Sequence, residues 1–185
     1  MERVSFLPML KLYPELVPKT LWGKSLSKTR NDTWKYISSR TRETSGFRCS
    51  VCGKDVGGVR ESVCHELWCY DDVSHVQTLM GFQTVCQDCN SIKHFGHFRI
   101  MLATGRISVG DYNRVIKHAL KVNDCSEKVF FSVVDRVFSV WEKRSKVGWT
   151  QDLSLVDKYR EERKELRVWM KSHPEEVKRI MEKNL

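Results

Sequence analysis

The chain has 185 residues with 32 Lys+Arg against 23 Asp+Glu, a formal net charge of +9. Hydrophobic residues make up 41% and charged residues 30%, with 6 Trp, 8 Phe and only 4 Pro. This excludes a disordered polymer and fits one ordinary globular domain or a small module with a helical extension.

No stretch of about 18 apolar residues occurs, so no membrane-spanning helix or membrane partner is expected. The start, Met1-Glu2-Arg3-Val4-Ser5-Phe6-Leu7-Pro8, lacks the apolar core of a secretory signal, and a cytoplasmic location is expected. The charge is uneven: residues 1–48 carry net +6, 49–100 net −2, 101–150 net +4 and 151–185 net +1. Basic flanks around an acidic middle attract phosphate backbones through counterion release, although a solvated cationic surface has the same composition.

In chain order, Pro8, Pro14, Pro18 and Gly23 make residues 6–24 an extended arm that packs across the domain. Residues 26–44 read as a basic helix capped by Asn31 or Asp32. Trp34, Ile37 and Tyr36 form its buried stripe, Lys35, Arg40 and Arg42 face out, and Gly46 ends it. Lys24, Lys28, Arg30, Lys35, Arg40, Arg42 and Arg48 are the candidate nucleic-acid-binding side chains. After Gly57-Gly58, residues 59–70 alternate like a strand or hairpin carrying His65 and Glu66. Residues 71–76 read as a turn leading to a short helix or loop, and residues 77–85 return as a second extended segment. Residues 86–95 open a helix. Gly105 and Gly110 mark turns, and helices follow over 108–123, 126–146 and about 153–169, with one more turn from Pro174. The expected class is α+β. It divides into an N-terminal arm and basic helix (1–45), a zinc-stabilised core (46–100) and a helical C-terminal region (101–185), whose helices are a candidate surface for a protein partner.

Seven cysteines, an odd number, argue against a disulfide framework. Four of them form two pairs, Cys49-Ser50-Val51-Cys52 and Cys86-Gln87-Asp88-Cys89, separated by 33 residues. Two sulfurs from each pair complete a tetrahedral thiolate site for structural zinc, and Gly53 lets the chain turn behind the second sulfur. Cys64, Cys69 and Cys125 are left over. Four thiolates and one divalent cation sum to a formal −2, which suits a region that holds a further cation. A knuckle, a hairpin and a knuckle opening a helix follow in the order of a treble-clef zinc module. Within it, His65 and Glu66 on the hairpin oppose Asn90 and His94 on the second-knuckle helix. Such a set holds a hard divalent cation and leaves one group as base. Each residue taken alone also suits a bland role: His65 a core histidine, Asn90 a residue of the helix start, His94 a surface residue.

The string Cys49-x-x-Cys52, Val63-Cys64-His65-Glu66-Leu67-Trp68, Cys86-x-x-Cys89-Asn90-x-x-Lys93-His94 resembles the zinc-stabilised HNH endonucleases, the His-Me finger or ββα-metal nucleases. The likeness extends through Tyr70-Asp71-Asp72, Val76-Gln77, His94-x-Gly96, Val122-Asn123 and Trp141-x-x-Arg144-Ser145, about residues 18–155. It implies hydrolysis of phosphodiester bonds in nucleic acid, DNA ahead of RNA, with magnesium or manganese. His65 stands as base, and Asn90 and His94 face the metal. The family's usual Asp-His or His-His pair reads Cys64-His65 here; a shift by one reads His65-Glu66, with Glu66 as base and His65 as ligand. Both registers are open in the sequence. The family's central Asn has no clear counterpart, with Gln77, Gln83 and Thr84 the available residues. That gap leaves a catalytically inactive zinc module, binding nucleic acid or a protein partner, as the alternative.

Overall fold

A computed structural model describes residues 10–29, 32–58 and 61–182. At its centre is a β-hairpin, strands β1 (Ser62–Asp71) and β2 (Val76–Cys86), paired antiparallel from Ser62 opposite Cys86 to Asp71 opposite Val76. The link is a tight turn, with no helix in it. The Asp71 carboxylate accepts the backbone N–H groups of Val73 (2.9 Å) and Ser74 (3.3 Å) and the Ser74 hydroxyl (2.6 Å). This is the local bonding that makes Asp a turn former. A bulge between Leu67 and Trp68 leaves Met80 outside the pairing and 63% exposed.

A third strand, β3 (Thr150–Asp152), pairs parallel to β2 at Val76–Thr78 and was not visible in the sequence. Three residues after a glycine carry too short a pattern to read.

The helices are α1 (Leu26–Thr29), α2 (Asp32–Thr44), α3 (Gln87–Lys93), α4 (Phe95–Ala103), α5 (Val109–Asn123), α6 (Glu127–Arg144), α7 (Ser154–Ser172) and α8 (Pro174–Glu182). The expected helix over 26–44 is thus described as α1 and α2, with residues 30–31 outside the described set. Gly110 sits in the first turn of α5 and marks no break. Ser108 and Asp111 close a capping box there, worth about 1 kcal/mol, which holds the helix start despite the glycine. The C-terminal end forms a full helix, α8, where one turn was expected. Among the described residues no helix is long and apolar enough to cross a membrane.

Two apolar clusters position the hairpin. The larger joins Cys49, Cys86 and Cys89 to Val85, Ile92, Phe95, Val115, Ala119 and Phe130. It clamps the two C-x-x-C segments between the hairpin's end and helices α3, α5 and α6. The smaller joins Ile37 of α2, Leu79 of β2 and Val156 of α7, with Trp68, Phe82 and Tyr159 against them. Residues 6–9 of the expected arm lie outside the described residues; its described part packs across the domain as expected. Leu12 is fully buried, and its N–H and C=O both bond to the side-chain amide of Asn123 (2.9 and 2.6 Å). The Glu15 N–H then donates to the Lys93 carbonyl at the end of α3 (2.8 Å). These bonds leave the Glu15 side chain where arm, hairpin and α3 meet.

Candidate metal centre and histidine cluster

Each C-x-x-C is a folded turn. In the first, Gly53 has φ +74° and its N–H donates to the Cys49 carbonyl (2.9 Å), while Ser50 N–H ties the turn to the Thr84 carbonyl of β2 (2.8 Å). A side chain at Gly53 meets no neighbour, so the positive φ is what requires glycine there. In the second, Cys86 is the N-cap of α3 and its sulfur accepts the Cys89 N–H (3.5 Å).

The hairpin register brings the two turns together. The sulfurs of Cys49, Cys52, Cys86 and Cys89 lie within 4.8 Å of one another, three of the residues buried. Tetrahedral zinc with bonds of about 2.3 Å needs sulfurs about 3.8 Å apart. Cys52 and Cys86 are 3.8 Å apart. The donor set and its spacing fit a metal ion such as zinc. The Cys49 sulfur accepts from the Cys86 and Cys89 thiols, which holds its pKa far below the ordinary thiol value. The same contact with Cys49 pushes Cys86 up to about 11 and raises Cys89 as well. A divalent cation removes that competition by taking all four as thiolates. His118 of α5 stands with Nε2 3.2 Å from the Cys89 sulfur, a partner that no sequence spacing revealed.

About this core the hairpin and α3 assemble a second polar cluster. His65 is 6% exposed, and its Nε2 is 2.8 Å from Glu15 Oε2. The other Glu15 oxygen accepts from Nζ of Lys93, itself 4% exposed. Burial raises the Glu15 pKa, but the hydrogen bond from His65 and the Lys93 and His65 charges outweigh it and hold the group below its ordinary value. An ionised carboxylate accepts only, so Nε2 of His65 is the donor in this contact. The His94 ring stands edge-on to His65, centroids 5.0 Å apart. His94 is an exposed residue, yet desolvation by the surrounding protein and the nearby His65 lower its pKa to about 4. It is therefore neutral at pH 7, the form that ligates metal.

A cleft of about 550 Å³ opens beside the cluster. Glu15, Glu66, His94 and His97 line it, whereas buried His65 does not. Cys64 and Glu66, flanking His65 on the strand, face α1 and α2 as strand alternation requires. The Cys64 thiol interacts with Thr41 and Arg42, and burial lifts it to about 11. Glu66 accepts from the Ser27 N–H (3.3 Å) and from Trp68 Nε1 (3.1 Å), and burial raises its pKa.

Asn90 and His94 were expected on one helix face. Asn90 lies in α3, but His94 is its C-cap, at φ −95° and ψ 37°, so the two no longer share a regular helix. Asn90 Oδ1 is buried with no hydrogen-bond partner. Among the described residues, no second set of three His, Cys, Asp or Glu ligand atoms gathers as tightly as the four thiols.

Gln77, fully buried, donates to the Tyr70 hydroxyl (2.7 Å) and accepts from Gln151 of β3 (2.8 Å). Thr84 donates to the Thr41 carbonyl (3.1 Å), and Gln83 lies opposite His65 in the ladder. The carboxylate that holds His65 comes from the arm, as Glu15. The one sequence signal was an acid set alone among Leu12, Tyr13, Pro14, Leu16 and Val17.

Of the candidate phosphate-binding cations, Lys24, Lys28, Lys35, Arg40 and Arg48 are exposed, and Lys28 lines the cleft. Lys35 pairs with Asp32 (3.8 Å) and Arg40 with Glu162 (3.9 Å). Arg42, expected to face out, is half-buried with Nε enclosed, because it turns toward Cys64 of the sheet. Arg30 lies outside the described residues. Comparison with protein-family models, with curated proteins and with solved structures returned no match.

Proposed function

We propose that the chain is a metal-dependent phosphodiester hydrolase of HNH type acting on nucleic acid, DNA more than RNA, with a treble-clef zinc site as its scaffold. The supporting observation is the His65 cluster: a hairpin histidine oriented by Glu15 stands 5.0 Å, ring to ring, from His94 at the end of the second-knuckle helix.

His65 is the base. Donating Nε2–H to Glu15 fixes the tautomer, and Nδ1 is left to take a proton from the attacking water. Glu15 supplies the orienting role that the hairpin of this family usually gives to Asn. Lys93, paired to the other Glu15 oxygen, keeps that carboxylate ionised. Glu66 lines the cleft but already accepts two hydrogen bonds, from Ser27 and Trp68, which favours His65 in the base's role. The neutral His94 ring and the unpartnered Asn90 oxygen are the groups that would hold a divalent cation. A mixed nitrogen and oxygen donor set takes manganese more readily than magnesium. Such a cation supplies charge neutralisation at the scissile phosphate. Exposed Lys24, Lys28 and Arg48, with Lys35 and Arg40, provide the sequence-independent attraction to the phosphate backbone.

The second reading, a zinc module that binds nucleic acid without cutting it, draws on the burial of His65 away from the cleft. Purified protein is tested on supercoiled plasmid and on single-stranded DNA, with and without magnesium or manganese. Cleavage that needs the cation supports the first reading. Binding without cleavage under every condition supports the second. Glu66→Ala separates the registers: partial loss is expected with His65 as base, near-complete loss with Glu66 as base.

A further inference from the structure

Trp22 is the most exposed tryptophan that the structure describes among its large hydrophobic side chains, at 61%. A loose surface tryptophan has a free ring and a free N–H; Trp22 has neither. Its Nε1 donates to the Val17 carbonyl (3.0 Å), and Nε1 of Trp141, from α6, donates to the same oxygen (2.9 Å). The two indoles stand 6.4 Å apart with planes within 22°. One carbonyl therefore pins both rings and uses both polar handles. What Trp22 still offers to a ligand is an apolar π-face, with the Trp141 ring stacked against it.

Both rings line the cleft that Glu15, Glu66 and His94 also line. Lysines flank the ring pair, while the two carboxylates of the cleft, Glu15 and Glu66, are already hydrogen-bonded within the protein. Lys19 Nζ lies 5.1 Å from the centre of the Trp141 ring, Lys28 lines the same cleft, and Lys24 is exposed two residues beyond Trp22. A rigid aromatic face flanked by lysines matches one nucleotide unit, whose base stacks while its phosphates meet the cations. A base inside a duplex has both faces covered by its neighbours. An unpaired base has a face to give.

We propose that Trp22, braced by Trp141, is a stacking platform for an unpaired nucleobase, so that single-stranded or locally opened nucleic acid is the preferred ligand of the cleft. This rests on the nucleic-acid reading above but does not need the chemistry to work. It is tested by binding with no magnesium or manganese added, so that a failure of cleavage and a failure of stacking are told apart.

The probe is a fluorescently labelled oligothymidylate followed by anisotropy, beside a duplex of equal length and an abasic strand with the same phosphates and no bases. Trp22→Ala should weaken oligothymidylate binding by about 5- to 150-fold, the value of one base stacked on an aromatic ring. Trp22→Phe should keep most of the affinity. Binding of the duplex and of the abasic strand should be unchanged by either substitution. Circular dichroism of Trp22→Ala should match wild type, because so exposed a ring leaves no core cavity. Unchanged oligothymidylate binding overturns the proposal, as does an equal loss on the abasic strand or no binding by wild type. Loss of self-association in sedimentation with oligothymidylate affinity intact also overturns it, since Trp22 then serves a protein interface.

Discussion

Glu15→Gln strands a buried cation. The Lys93 side chain is 5% exposed and the Glu15 side chain 28%, and their contact joins the arm to the end of α3. Removing one member of a buried pair costs about 3–5 kcal/mol, chiefly because the other charge is left without a partner. Glu15 admits some water, which places the expected loss at the low end, about 3 kcal/mol. For a chain of this size that lowers the melting temperature by about 6–12 °C. Glu15→Gln/Lys93→Met removes the stranded ammonium, so it should be more stable than Glu15→Gln alone. Thermal and urea unfolding of wild type, both single variants and the double variant measure the coupling. The pH dependence has a fixed sign. Glu15 in the folded chain lies below its ordinary value of 4.5, so its contribution is present above pH 4.5 and fades as pH falls through the lowered pKa. The gap between wild type and Glu15→Gln should therefore close in acid. A Glu15→Gln variant within about 1 kcal/mol of wild type at neutral pH refutes the reasoning.

The thiol cluster should hold one zinc per chain, read by metal analysis. Structural zinc contributes about 10–16 kcal/mol in small metal-folded peptides, against a whole-domain stability of about 5–15 kcal/mol, so chelation should unfold the region around Cys49 and Cys86. Cys89→Ser should lose the metal and the fold together. His118→Ala should keep the fold and weaken zinc affinity about 10- to 100-fold, because it takes away only the partner of a ligand. Replacing Lys24, Lys28, Lys35 and Arg48 by Gln should weaken binding of all DNA sequences alike. It should also flatten the salt dependence by about 0.9 in the logarithmic slope for each phosphate that is no longer neutralised. An unchanged slope places the nucleic acid elsewhere.

The four-cysteine cluster was legible because its ligands come in local pairs. Each C-x-x-C already bends into a turn, and only the hairpin register between them had to be supplied by folding. The hairpin strands and helices α5 and α6 carried clear periodicity and strong caps at Ser108 and Ser126. The histidine cluster was half legible. His65 and His94 stood in the motif, but the break after Lys93 that turns His94 out of α3 is a backbone event with no proline or glycine at the residue itself. Glu15 was hidden because it acts across 50 residues of sequence to His65 and 78 to Lys93. Its position depends on Asn123 holding Leu12, an interaction no local pattern encodes. Arg42 reads outward on a helical wheel, and the sheet packed against α2 encloses it.

Cleavage of supercoiled plasmid in manganese by zinc-loaded wild type and zinc-loaded His65→Ala tests the central claim most directly. The account predicts metal-dependent nicking by wild type and its near-complete loss in His65→Ala, with zinc content and melting temperature showing both proteins folded. Equal nicking by the two proteins, or none by wild type that still binds the plasmid, contradicts it.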